Sequence, residues 1–183
     1  DERRELVEVV SKSIARRMDQ IVIDALNASS GAATVATGVG GATSNMNIEK
    51  IRAAAKALNE KNVPSEGRNM LIHASQLDAM LGETAITSSD FAAVKALVRG
   101  EVDTFMGFRF ITIGDRDEGG LPKPSTRTCF AWHMDSVGYA ESMAQKTEVN
   151  YIPEKTSFLV SSMFSAGAVA IDDEGIVKIS CTE

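Results

Sequence analysis

The stretch from Asp1 to Asn27 constrains the fold most. It contains neither Gly nor Pro, and its apolar residues recur at Leu6, Val7, Val10, Ile14, Met18, Ile21, Val22 and Leu26. Steps of three and four place these side chains in one stripe along one face of an α-helix. Arg3, Arg4, Lys12, Arg16 and Arg17 fall mostly outside the stripe, with acidic residues among them. The stop is the segment from Ala28 to Gly31, whose last residue tolerates the left-handed helix cap. At 1.5 Å per residue such a helix is roughly 40 Å long, whereas globular helices average about 11–12 residues. One helix is therefore expected to run the length of the molecule, with later segments packed on its stripe. A coiled coil is the alternative, but the pattern lasts under four heptads.

The rest of the chain must supply that packing. With 183 residues, 44% of them hydrophobic, it can build one compact domain or one domain with two lobes. No apolar run approaches the roughly 20 residues of a membrane-spanning helix, and the first 20 residues are charged throughout, unlike a signal peptide. The first residue is Asp, which suggests a processed or truncated chain. Twenty-five acidic and 19 basic side chains give a net charge of −6. That balance argues against a general nucleic-acid binder. It is compatible with a protein that sits near DNA without sticking to it. Two cysteines, Cys129 and Cys181, have no metal-type spacing and read as reduced, intracellular thiols.

After the long helix, residues 29–44 are Gly, Ala, Ser, Thr and Val without charge, a partly extended loop. Its Gly38-Val39-Gly40-Gly41 is not a phosphate-binding fingerprint, because Thr43 stands where the third glycine belongs. Asn47 is placed to cap a second helix reaching about Asn59, with Ile48, Ile51, Ala55 and Leu58 on its buried face. Met70-Leu71-Ile72 reads as a short strand, and Ser75 as the cap of a short helix carrying Leu77, Met80 and Leu81. A further helix is expected from Thr87 or Ser88 to Gly100, with Phe91, Val94, Leu97 and Val98 on one side. Thr104 to Ile113 reads as one strand, buried on both faces or bulged, with Gly107 inside it. Asp115 to Thr126 is a polar loop. Strands follow at Thr128–Trp132, Val149–Ile152 and Thr156–Phe164. A last hairpin is expected from Ala168 to Cys181, turning at Asp172-Asp173-Glu174-Gly175, with Val177, Ile179 and Cys181 alternating inward. Helices and strands mix without a strict βαβ rhythm, so the fold class is α+β.

Reactive side chains concentrate only at Cys129, His133 and Asp135. A thiol, an imidazole and a carboxylate could make a nucleophile or begin a zinc site. Residues four apart on a strand, however, lie about 13 Å apart, and the other histidine, His73, is in a different segment. Cys129 then reads as a small core residue, with His133 and Asp135 at the exit of the strand. The carboxylates form no acid–base couple. No catalytic, cofactor-binding or metal-binding residue is assigned.

Three consecutive stretches carry a resemblance. They are Val63-Pro64 with Arg68 and Met70-Leu71-Ile72, leading to Leu77 and Leu81; Leu97-Val98-Arg99-Gly100 with Val102 and Phe105-Met106-Gly107-Phe108; and Phe130-Ala131-Trp132-His133-Met134-Asp135-Ser136-Val137-Gly138-Tyr139-Ala140. The ending, Gly167-Ala168 and Gly175-Ile176-Val177-Lys178-Ile179, fits the same pattern. In this order and spacing the chain resembles the major capsid proteins of tailed bacteriophages. The resemblance implies the Hong Kong 97-type shell fold: a spine helix crossing a peripheral domain (residues 1–69 and 146–183) and an inserted axial domain (residues 70–145). It implies a structural, non-catalytic subunit that assembles with copies of itself into hexamers and pentamers of an icosahedral shell around DNA. Such a protein is made in the host cytoplasm and resides in the virion. Scaffolding, portal and decoration proteins are its further expected partners; no cofactor, membrane or specific nucleic-acid contact is implied. The loop Asp115–Thr126 would point to the capsomer centre. Family members carry an N-terminal arm and an extended loop before the spine helix, and both are missing from this sequence, which therefore looks truncated. Two rivals stand beside this reading: an encapsulin-type compartment shell of the same fold, and a small thiol or metal enzyme using Cys129, His133 and Asp135.

Overall fold

A computed structural model describes residues 2–41, 44–82, 104–116 and 119–183. Helix α1 spans Glu2–Ala28. Only its last turns are buried: Gln20, Ile23, Ala25 and Leu26 are covered, while Leu6 and Val9 stand exposed. The stripe read from the sequence exists, but its first half lies on a thin two-stranded ribbon, which covers a helix only in part. The helix expected between Thr87 and Gly100 lies outside the described residues.

Strand β1 (Ala33–Val35) precedes helix α2 (Ile48–Glu60). Asn47 caps α2 as expected, its side chain accepting from the Lys50 amide. The glycine run has a structural role here. Gly40 turns the chain at φ 81°, and Asn47 Nδ2 donates to the Val39 carbonyl at 3.0 Å, so the loop seats the capping residue. Strand β2 (Arg68–His73) runs directly into helix α3 (Ala74–Gly82). The cap expected from Ser75 comes instead from His73, whose Nδ1 accepts from the Ser75 amide at 3.2 Å. The helix starts two residues earlier than the serine signal implies, which puts Ser75 inside it.

The single strand expected over 104–113 is a hairpin. Strand β3 (Thr104–Phe105) pairs antiparallel with β4 (Phe108–Ile113), and Phe105 faces Phe108 across the ladder. Met106 and Gly107 form the two-residue connection at φ 52° and 83°. Positive φ at both central residues is the pattern of turns whose twist matches paired strands. Gly107 is therefore a turn residue and not a bulge. A Cβ there meets no atom within 4 Å, so a substitution is opposed by backbone strain alone. Gly107→Val is expected to cost about 1–2 kcal/mol. An unchanged thermal midpoint would contradict this.

Strand β5 (Arg127–His133) leads through a 3₁₀ turn to β6 (Val137–Ile152), which pairs antiparallel with β7 (Ser157–Ala170). The last strand, β8 (Ile176–Cys181), does not pair with β7. The expected final hairpin is instead a crossover between sheets, because β8 finds β1 on one side and β5 on the other. Val177, Ile179 and Cys181 do alternate inward, all fully buried.

The result is a mixed six-stranded sheet, β1-β8-β5-β2-β4-β3, beside the β6–β7 ribbon. Its two faces follow from the registers. Met70 faces Ala131, and Cys129 faces Ile179, on the side where α2 packs. Leu71, Ile111, Ile113 and Trp132 turn the other way and, with Val22, Ile23 and Leu26 of α1, line a small cleft. Both faces are covered, which is why the strands read as near-continuous apolar runs.

Candidate functional site

The structure does not assemble the thiol, imidazole and carboxylate into a reactive group. Cys129 is fully buried and lies opposite Ile179 in β8. His133, four residues along β5, is tied to the loop before β2: its Nε2 bonds the Glu66 carbonyl at 2.8 Å. Its Nδ1 accepts from the Asp135 amide at 3.3 Å, so it caps the following turn. The Asp135 carboxylate stands 3.7 Å away and is mostly exposed. Among the described residues no group of three or more His, Cys, Asp and Glu side chains could hold a metal ion.

Cys129 instead meets Cys181. The neighbouring Cys181 side chain and burial together raise the Cys129 pKa well above the ordinary value. The Cys129 side chain in turn lowers the pKa of Cys181; burial works against this, and the Lys50 ammonium adds to the lowering. Lys50 is itself fully buried, its Nζ donating to the carbonyls of Ser44 (2.6 Å) and Ser180 (2.9 Å). Burial depresses its pKa. Both thiols are free and inaccessible. Rapid titration of neither is expected with a thiol reagent on the native protein; fast reaction of both would contradict their burial.

A second polar group closes the end of the sheet. Arg127 is fully buried and bonds Asp115 at 2.8 Å and Glu183; Glu183 also holds Lys123 and, at 2.8 Å, Ser75. Burial opposes the charge on Arg127, yet the bonds to the two carboxylates outweigh it and raise its pKa. The Arg127 guanidinium holds Glu183 far below the usual carboxylate range. These are structural ion pairs that fix the chain after β8. The described part of the Asp115–Thr126 loop is likewise bound down: Arg116 pairs with Asp19 of α1 at 3.1 Å, and Leu121 is buried.

The helix and the ribbon form the surface that is left. Lys178 of β8 donates to the carbonyls of Asn27 (2.7 Å) and Ser29 (2.6 Å), a cation at the negative end of α1. Asp173 accepts from Ser29 Oγ (2.5 Å) and the Gly31 amide (3.0 Å). The crossover also grips the 3₁₀ turn before β6. The Ser136 carbonyl accepts from the Ile171 and Asp172 amides, and a Cβ on Gly175 would stand 1.8 Å from Ser136 Oγ. One end of α1 and the base of the ribbon are thus locked to the sheet. Along β7 burial alternates: Phe164, Ala166, Ala168 and Ala170 are half-buried, and the intervening residues are exposed. The exposed row carries Leu159 (48% exposed), Met163 (50%) and Val169 (62%), and Ile171 continues it. Gly138, Ala140 and Gly167 form a shallow saddle beside them. At the tip, the Tyr151 and Phe158 rings lie 5.2 Å apart. Large apolar side chains left in one row mark an interaction surface. Sequence reading missed this row, since β6 from Ala140 to Lys146 is written in residues that favour helices.

No curated protein matches the chain. A solved chain from Mycobacterium phage Che8 superimposes with a TM-score of 0.71 at 16% identity, covering 95% of this chain and 61% of that one. The capsid of the Helicobacter pylori bacteriophage KHP30, an acid-stable one, gives 0.74 at 12% identity, over 100% of this chain and 69% of the other. An encapsulin complex from Synechococcus elongatus PCC 7942 gives 0.61 at 13% identity, over 100% and 66%. At such identities these likenesses show a shared fold of the Hong Kong 97 type, and the chain spans only about three fifths to two thirds of the solved chains' lengths. The family model described as phage capsid protein matches residues 1–183, so the chain belongs to the phage capsid protein family, whose members are structural, non-enzymatic proteins of the virion.

Proposed function

We propose that this chain is the shell-forming core of a bacteriophage major capsid subunit, assembling as hexamers and pentamers of an icosahedral shell around DNA. The family match over the whole chain carries this reading. Capsid proteins build shells from copies of themselves, so the partner of the exposed ribbon row is a second copy. Residues 1–69 and 146–183 form the peripheral domain and residues 70–145 the inserted axial domain. The net charge of −6 fits a wall that encloses DNA without binding it tightly. Scaffolding, portal and decoration proteins are the further partners in this reading. An encapsulin-type compartment would use the same fold.

Two experiments bear on it. The full product of the reading frame, made in a bacterial host and fractionated by ultracentrifugation, is expected in fast-sedimenting particles. Recovery in subunit-sized fractions alone would contradict a shell function. The 183-residue chain by itself is expected to sediment as monomers or small rings at tens of micromolar. Each 1.4 kcal/mol lost from a contact weakens it about tenfold, and by resemblance the family's arm and extended loop add lateral contacts. Abundant closed shells from these residues alone would overturn that expectation.

A further inference from the structure

We propose that the cleft between the start of β2 and the β3–β4 turn is a second contact surface for a neighbouring copy of this chain, which enters it with a carboxylate that Arg109 binds. This rests on the shell reading and adds a face separate from the ribbon row. Ser65, Gly67, Asn69, Gly107, Arg109 and Met134 line the cleft, with Arg68 at its wall. Two guanidinium groups supply its charge. Arg68, 5% exposed, donates to three neutral acceptors: the carbonyls of Pro64 (2.8 Å) and Val63 (2.6 Å) and the side chain of Asn59 (2.7 Å). Arg109 stands exposed on β4, beside Asn69 of β2. Glu66 also lines the cleft, yet neither arginine makes an ion pair among the described residues. A cleft with two cations and no paired carboxylate favours an anion, and a guanidinium fork matches a carboxylate in geometry.

The surroundings say what brings the carboxylate. Met134 is 61% exposed, and its amide is tied to the Gly67 carbonyl at 3.0 Å, which fixes it at the cleft. Ile111, 41% exposed, is two residues from Arg109 and so on the same face of β4. An arginine set among exposed methionine and aliphatic side chains is the composition of a protein contact surface. A nucleic-acid phosphate would make no use of the apolar part. The chain has 25 acidic and 19 basic side chains and a net charge of −6, so a second copy presents an excess of carboxylates to this cleft. Ring closure also asks for such a face. A ring built from one repeated contact joins two different surfaces of each subunit. The β7 row is apolar and lies on the ribbon, whereas the cleft is cationic and lies on the six-stranded sheet. Each subunit can therefore hold one neighbour by each.

The test is dilute hydrogen peroxide applied to the full product of the reading frame, as particles and as the unassembled fraction, with each methionine read by peptide mass spectrometry. Methionine oxidation follows exposure. In the unassembled chain Met134 is expected to oxidise readily, while the buried Met46, Met70 and Met80 resist in both states. In particles the oxidation of Met134 is expected to be lost. Arg109→Glu is expected to keep the thermal midpoint and to weaken each contact about tenfold or more, so that folded protein is recovered without particles. Particles in which Met134 oxidises as fast as in the unassembled chain would overturn the proposal and leave the shell reading standing. So would a normal particle yield from Arg109→Glu. Protection of Met134 in the unassembled chain by added double-stranded DNA would overturn it by naming a different occupant. A wild-type product that forms no particles would remove the shell reading and this proposal together.

Discussion

Phe130→Ala is expected to destabilise the fold by about 3–5 kcal/mol, the usual cost of emptying an aromatic site in a closed core. Phe130 is fully buried in β5, at the middle of the six-stranded sheet. It stands opposite Leu71 of β2 and Lys178 of β8, on the face turned towards α1. Removing the ring leaves a hole between two ladders that cannot approach each other without breaking register. The same site positions Lys178, which caps the end of α1. The loss should therefore spread to the helix, and the spine and sheet should melt together. Urea unfolding followed by circular dichroism and by the fluorescence of Trp132, the single tryptophan, gives the measurement. A loss below 1 kcal/mol, or separate transitions for helix and sheet, would mean that the sheet is not the base of α1.

The second large effect concerns assembly and leaves the fold alone. Leu159→Asp, Met163→Asp and Val169→Asp together place three carboxylates in the exposed row of β7. Exposed substitutions away from caps and buried networks usually shift stability by no more than about 0.5 kcal/mol, so the melting curve should barely change. If a neighbouring copy covers the row, each side chain forgoes about 1.5–3 kcal/mol of burial. Three together weaken one contact by at least about a thousandfold, and a shell repeats that contact throughout. Folded protein without particles is the expected outcome; normal particle yield would show that the row faces solvent in the assembled state.

What could be read in the sequence follows from the range of the interactions that decide each element. The α1 stripe, the Asn47 cap and the inward alternation of Val177, Ile179 and Cys181 are local patterns, and each has its counterpart in the structure. The Met106–Gly107 turn was hidden because Met is not a residue that announces a left-handed position; the pairing of Phe105 with Phe108 imposes it. The final hairpin misled for a similar reason. Asp172-Asp173-Glu174-Gly175 is a sound turn signal, but β8 gains more between β1 and β5 than beside β7. Strand β6 is the clearest case of tertiary override: Ala140 to Lys146 favours helix locally, and pairing with β7 makes it strand. The absence of a Cys129–His133 couple was legible from strand spacing. The meeting of Cys129 with Cys181 was not, because it depends on a register between segments some fifty residues apart. The apolar row of the ribbon was invisible because it depends on the long pairing of β7 with β6, whose own sequence favours helix. The shell fold itself was read from a resemblance and not from these local signals.

The most direct test is cryo-electron microscopy of the full product of the reading frame after assembly. The account predicts closed icosahedral particles in which α1 and the β6–β7 ribbon lie at the boundaries between subunits and the six-stranded sheet keeps the registers described above. A reconstruction showing only small discrete oligomers, or shells in which the ribbon touches no neighbouring copy, would contradict it.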